Sequence, residues 1–277
     1  MMRWARLGIV LVVLLVWLGA SGVQGDAPFV TLASTTSTEN SGLFDAILPR
    51  FEAETGIEVR VVAVGTGQAL RIGRSGDADL LLVHDRAEEE RFIAEGFGLE
   101  RRELMYNDFV IVGPNDDPAG ARGSGGPVAA LARIAEANAI FVSRGDDSGT
   151  HKAERRLWRL AGVNPAASSG SWYREVGAGM GSTLNTTAAM GAYTLADRGT
   201  WLSFKNRREL GILVEGDPRL ANHYALIAVN PGRHPHVKRE AAARLIEWLL
   251  SEPGQRAIGN FRIQAQPLFV PNASADR

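Results

Sequence analysis

Five consecutive hydroxyl side chains, Ser34-Thr35-Thr36-Ser37-Thr38, stand before Glu39 near the start of the chain. Such a run can donate hydrogen bonds to oxygen atoms, and a helix N-terminus beside it adds unpaired backbone N–H groups. Thr36 and Glu39 also have capping-box spacing, but a cap needs one hydroxyl, not five. A second segment, Ser143-Arg144-Gly145-Asp146-Asp147-Ser148-Gly149-Thr150, contains a permanent cation whose donor fork matches two oxygens of an anion. Ser148 and Thr150 add hydroxyls, and Gly149 lets the backbone approach closely at a helix start. Asp146 and Asp147 fit an anion site only if a carboxylate holds the Arg144 guanidinium in place. Gly177-Ala178-Gly179-Met180-Gly181-Ser182-Thr183 is a third candidate, with Ser182 or Thr183 as donor or cap. Gly65-Thr66-Gly67 is a smaller fourth, with Thr66 as donor. All of these are donors, the pattern of a cradle for an oxyanion rather than for a metal cation.

Other chemistries have weaker support. Ser148 with His151 three residues on leaves room for a secreted serine hydrolase, which would still need an orienting carboxylate. His234 and His236 flank Pro235 without an acidic partner, a poor metal site. Gly65-Thr66-Gly67-Gln68-Ala69 lacks the remaining glycine and the distal acid of a dinucleotide fingerprint. Trp158, Trp172 and Trp201 read as packing.

The positioning elements alternate. Phe29–Ala33 reads as a buried strand, and Leu43, Phe44, Ile47, Leu48 and Phe51 share one helical face, with Pro49 predicting a kink or an early stop. A strand over Ile57–Val64, a helix over Gln68–Arg74, a strand over Leu80–Val83 and a helix over Ala87–Glu95 follow. Tyr106–Gly113 is a long apolar strand, after which the alternation restarts with a helix over Val128–Ala137, a strand over Ala139–Val142 and a helix over Gly149–Ala161. Tyr224–Val229 is another apolar run, and helices over Val237–Leu250 and Pro253–Phe261 end the chain. This is α/β architecture: two lobes, each a mixed, mostly parallel sheet flanked by helices, joined by two crossing strands. The expected division is 26–109 with 227–277 as lobe I and 110–226 as lobe II.

With 277 residues, 45% hydrophobic and 22% charged, the chain has ample material for a buried core. A formal net charge of -1 offers nothing to attract nucleic acid, and the absence of cysteine excludes disulfides, thiolate metal sites and a lipid-modified cysteine. Arg3 and Arg6, the apolar run Leu7–Leu18 and the small residues Gly19–Gly25 read as a signal peptide over 1–25, cleaved after Ala20 or Gly25. The apolar run is shorter than the ~20 residues that span a bilayer. The expected location is therefore the periplasm.

Five segments together resemble a known family, the tungstate-binding proteins of bacterial ABC importers (the TupA type). They are 34–43 (STTSTENSGL), 64–70 (VGTGQAL), 77–85 (DADLLLVHD), 106–114 (YNDFVIVGP) and 143–151 (SRGDDSGTH). The family usually has Thr where this chain has Ser34. The resemblance implies the type II periplasmic-binding-protein fold, no enzymatic activity and no cofactor. It implies tungstate as ligand, with molybdate second and phosphate or sulfate as the alternative, and an ABC permease with its ATPase as partner to a monomeric receptor. By that likeness Thr35, Thr36, Ser37 and Thr66 face Arg144, Ser148, Gly149 and Thr150 across the cleft, with Ser34, Ser182 and Thr183 as further candidates. Asp85 matches the acceptor carboxylate of phosphate binders and should point away from a fully ionised anion.

Overall fold

In the computed structural model, which describes residues 27–273, the first half of the chain folds as the alternation predicts. Strand β1 (Phe29–Thr35) leads through a short helix α1 (Thr36–Asn40) to α2 (Leu43–Thr55). The five apolar residues of α2 face the core, and the helix runs on through Pro49 instead of stopping. Pro49 lies on the exposed face, where the carbonyl that its missing N–H leaves free meets water. Then come β2 (Glu58–Val64), α3 (Thr66–Ser75), β3 (Leu80–Val83) and α4 (Arg86–Ala94). Strand β1 lies between β2 and β3, parallel to both, so the carboxyl ends of β1 and β2 and the starts of α1 and α3 gather at one edge.

Strand β4 (Gly98–Pro114) has 17 residues, roughly 55 Å of extended chain. After it the second lobe forms from α5 (Pro127–Glu136), β5 (Phe141–Ser143), α6 (Gly149–Leu160), β6 (Tyr173–Glu175) and α7 (Met180–Met190). It is completed by β7 (Thr194–Asp197), α8 (Arg198–Ser203) and β8 (Leu210–Val214). The chain returns in β9 (Ala221–Val229) and closes with α9 (Arg239–Leu250), α10 (Glu252–Asn260) and the short strands β10 (Arg262–Ile263), β11 (Gln266–Pro267) and β12 (Val270–Pro271).

Strand β4 changes partners within one peptide unit. Asp108 pairs with Ala221 of β9, whereas Phe109 pairs with Asp197 of β7. Arg198 clamps this point, its Nε and Nη2 each donating at 2.6 Å to a different oxygen of Asp108. Strand β9 pairs antiparallel with β3 and with β4 on the lobe I side. Pairing is thus parallel among β1, β2 and β3 and between β5 and β6, and antiparallel around the long strands, since a leaving strand and a returning strand run in opposite directions. From the partner change we propose lobe limits of 27–108 with 221–273, and 109–220.

Each lobe has a core on both faces of its sheet, as the two-residue period of strands requires. Leu80 and Leu82 pack with α2, α9 and α10, while Leu81 and Val83 pack with α3 and α4. Along β4, Phe109 and Ile111 join the α5–α6 core and Val110 and Val112 the α7–α8 core. Trp158, Trp172 and Trp201 are buried in these lobe II cores, at 0%, 8% and 3% exposure. The segment expected as a leader, 1–25, lies outside the described residues. Among those described, no helix is long and apolar enough to cross a membrane.

Candidate functional site

The hydroxyl run ends β1 and opens α1. Thr35 is the cap, not Thr36: its Oγ1 accepts from the Thr38 N–H at 3.4 Å and shares hydrogen bonds with Thr38 Oγ1 (2.8 Å) and Ser37 Oγ (3.1 Å). Helix α3 begins two residues before its expected start, so Thr66 is its first residue. The preceding Gly65 has no side chain to cap the free N–H groups of that turn. The Thr66 hydroxyl is buried and has no hydrogen-bond partner, which is costly for a polar group unless something else supplies one.

On the other lobe, the loop between β5 and α6 is built for rigidity. Arg144 Nε and Nη2 both donate to Asp146 Oδ2, at 3.1 and 2.6 Å, and the Ser148 N–H donates to Asp146 Oδ1 at 3.2 Å. Burial works to raise the Asp146 carboxyl, but the hydrogen bonds from Ser148 and the charge of Arg144 outweigh it and hold the pKa low. The ionised carboxylate therefore fixes the guanidinium while leaving part of its five-donor fork open. Ser148 caps α6, accepting from the His151 N–H. Below the loop, Ser143 Oγ accepts from the Gly145 N–H and donates to Glu154 Oε2 at 2.7 Å. The other Glu154 oxygen accepts from Trp158 Nε1 and Tyr173 OH. Burial pushes this carboxyl up to about 7 against the pull of its three donors.

The two lobes meet around a cavity of about 440 Å³. Thr35, Thr36, Ser37 and Thr66 line it from lobe I, and Arg144, Ser148, Gly149 and Thr150 from lobe II. Ser182 lies in an adjoining cavity of about 350 Å³ that shares Thr36, Ser37 and Arg144. Ser34 and Thr183 reach neither: the first gives its hydroxyl to the Leu82 carbonyl, the second to the Gly179 carbonyl one turn back. Gly179 of the third candidate segment also lines the main cavity, as do Gln68, Arg71 and His84, which were not among the expected site residues. For Gln68 and Arg71 a signal existed, since they follow Thr66 on one helix and are joined by hydrogen bonds of 3.0 and 2.6 Å. His84 and Gly149 touch across the cleft: a Cβ at position 149 would stand 2.6 Å from His84 Cε1, so only glycine fits. Asp85 caps α4, pairs with Lys152 of lobe II at 3.4 Å, and does not line this cavity.

Ser148 and His151 form no nucleophile–base pair. The ring Nδ1 of His151 accepts from the Asp147 N–H, and the ring lines a separate cavity beside Arg155 and Trp158. Among the described residues no group of three His, Cys, Asp or Glu could hold a metal ion. What converges on the cleft is a set of hydroxyls, helix starts and one locked arginine, the chemistry of oxyanion capture.

The match to a PBP superfamily domain covers residues 22–253. The tungstate-binding protein TupA of Peptoclostridium acidaminophilum is 49% identical over 249 residues, 88% of this chain and 86% of the relative. The chain belongs to the TupA family. The solved tungstate-binding protein TupA of Desulfovibrio alaskensis G20 superposes with a TM-score of 0.82 at 47% identity, over 90% of this chain and all of the other. The tungstate ABC transporter structure from Geobacter sulfurreducens gives 0.76 at 46%, over 84% and 98%. These TupA-family relatives are substrate-binding transport proteins, not enzymes, and their two-lobed α/β fold is the fold found here.

Proposed function

We propose that this protein is an extracytoplasmic receptor that binds tungstate, with molybdate as second ligand, in the cleft between its lobes. It delivers the anion as a monomer to an ABC permease with its ATPase, in the periplasm after loss of the leader. The observation that carries the reading is the buried, partnerless Thr66 hydroxyl at the uncapped start of α3, facing the same cavity as Arg144 and the α6 N-terminus. An oxyanion there would satisfy the hydroxyl, the free N–H groups and the open part of the guanidinium together. The choice of tungstate rests on the names of the relatives. Thr35, Thr36, Ser37, Ser148, Gly149 and Thr150 complete the proposed contacts.

A ligand bound only by the folded state raises its stability. A thermal-shift panel of tungstate, molybdate, sulfate and phosphate should therefore show the largest rise with tungstate. A rise with phosphate and none with tungstate would reassign the ligand.

A further inference from the structure

His84 stands where β3 gives way to α4, half-buried between the anion cavity and a second interlobe cavity of about 420 Å³. Its tautomer is set by the crossing strands. Asn222 of β9 gives its amide hydrogens to Asn107 Oδ1 of β4 at 2.8 Å and to Tyr224 OH at 3.1 Å. The Asn222 atom left for the ring is Oδ1, which lies 2.9 Å from His84 Nδ1. Nδ1 therefore carries the hydrogen, and in the neutral ring Nε2 presents a lone pair. Among the described residues no group hydrogen-bonds that Nε2. The ring is pinned further by Tyr224, 4.7 Å between centroids, and by Gly149 from the opposite lobe.

A lone pair and a fully ionised oxyanion repel each other, whereas an N–H at the same place would donate. Resting on the receptor reading above, we propose that His84 takes up a proton as the dianion binds and becomes a further donor of the site. Capture is then linked to pH through one residue, and the site favours a dianion that brings no proton of its own.

The charges around the ring permit this switch. Burial lowers the ring's pKa in the ligand-free site, and Arg144 lowers it further, against Asn222, Asp197 and Asp85. Lys152 of α6 stands on the wall of the second cavity, paired with Asp85. The anion cavity is also lined by Arg71, Asp146 and Asp147. The second cavity adds Arg86, Glu90, Glu103, Arg156 and His223, so cations and anions nearly balance. An incoming dianion breaks that balance beside the ring. It adds two negative charges and offsets the field of Arg144, and both changes favour the imidazolium.

The test is titration calorimetry of tungstate with the whole chain, between pH 6.5 and 8, in buffers of different ionisation enthalpy. Wild type should take up close to one proton over part of this range. Its affinity should there weaken by up to about tenfold per pH unit. His84→Gln should bind with no proton uptake and an affinity flat in pH. The His84 ring proton signal, assigned by its loss in His84→Gln, should move to the imidazolium position on adding tungstate. Tight tungstate binding by wild type without proton uptake overturns the proposal and leaves the receptor reading standing. Uptake that persists in His84→Gln overturns it as well, and no tungstate binding at all overturns both.

Discussion

The two walls of the cleft solve the same problem in opposite ways. Lobe II brings a finished surface: Arg144 is held by Asp146, α6 is capped by Ser148, and the loop rests on Ser143 and the buried Glu154. Lobe I brings an unfinished one, in which α3 has no cap and Thr66 has no partner. A satisfied network holds its geometry without ligand, and unsatisfied donors gain most when ligand arrives. Substitutions in the lobe II loop should therefore affect folding and binding together, and those at the start of α3 binding alone.

The largest expected effect tests the support under lobe II. Because burial raises Glu154 to about 7 from 4.5, the native state keeps a proton that the unfolded chain releases at lower pH. The stability this contributes, up to about 3 kcal/mol, is complete below pH 4.5 and is lost as pH rises through 7. Melting curves of Glu154→Gln should fall less steeply than wild type over that interval, while Glu89, also at about 7, titrates in both proteins. Parallel curves would show that Glu154 stays ionised. Next, Arg144→Ala removes a charge-assisted contact of ~1.5–3 kcal/mol, a roughly 10- to 150-fold loss of tungstate affinity by calorimetry. Unchanged affinity would take Arg144 out of the site.

The sharpest contrast comes from two hydroxyl deletions of comparable size. Ser148→Ala should lower the ligand-free stability by about 1 kcal/mol, as loss of a helix cap does. Thr66→Val should leave that stability unchanged or raise it, yet weaken tungstate binding by about 0.5–1.5 kcal/mol. If both variants lose the same stability without ligand, the division between the walls is wrong. Smallest is Lys152→Ala, which opens the interlobe pair with Asp85. A partly exposed pair of this kind contributes about 0–1 kcal/mol, seen as a few-fold change in affinity that shrinks with salt.

Much of this was legible in the residues. Hydroxyl runs and Arg144 sit at strand ends and helix starts, so their types and positions gave away two facing loops. The helix face of α2 was plain from its spacing. Pro49 misled because its effect depends on which side of the helix meets water, and that is a property of the packed molecule. In lobe II, β6, β7 and β8 have three to five residues each, too short for a period to declare itself against the glycines around them. His84 reaches the site only because Gly149 comes from a segment 65 positions away to meet it, and no local pattern encodes that meeting.

The partner change at Asp108 and Phe109 has a mechanical consequence. Strand β4 is held by a ladder on either side of a single peptide unit, so the lobes cannot slide past each other without breaking one of the ladders. Opening must instead be elastic flexure of the strand where its partners change, with Arg198 as a brace. With roughly 36 Å of strand on the lobe I side and roughly 20 Å on the lobe II side, a bend of about 10° would move the far ends by about 6 and 3.5 Å. The connection between the lobes is then a leaf spring rather than a tether, fixing the direction of travel and restoring the shape after each cycle.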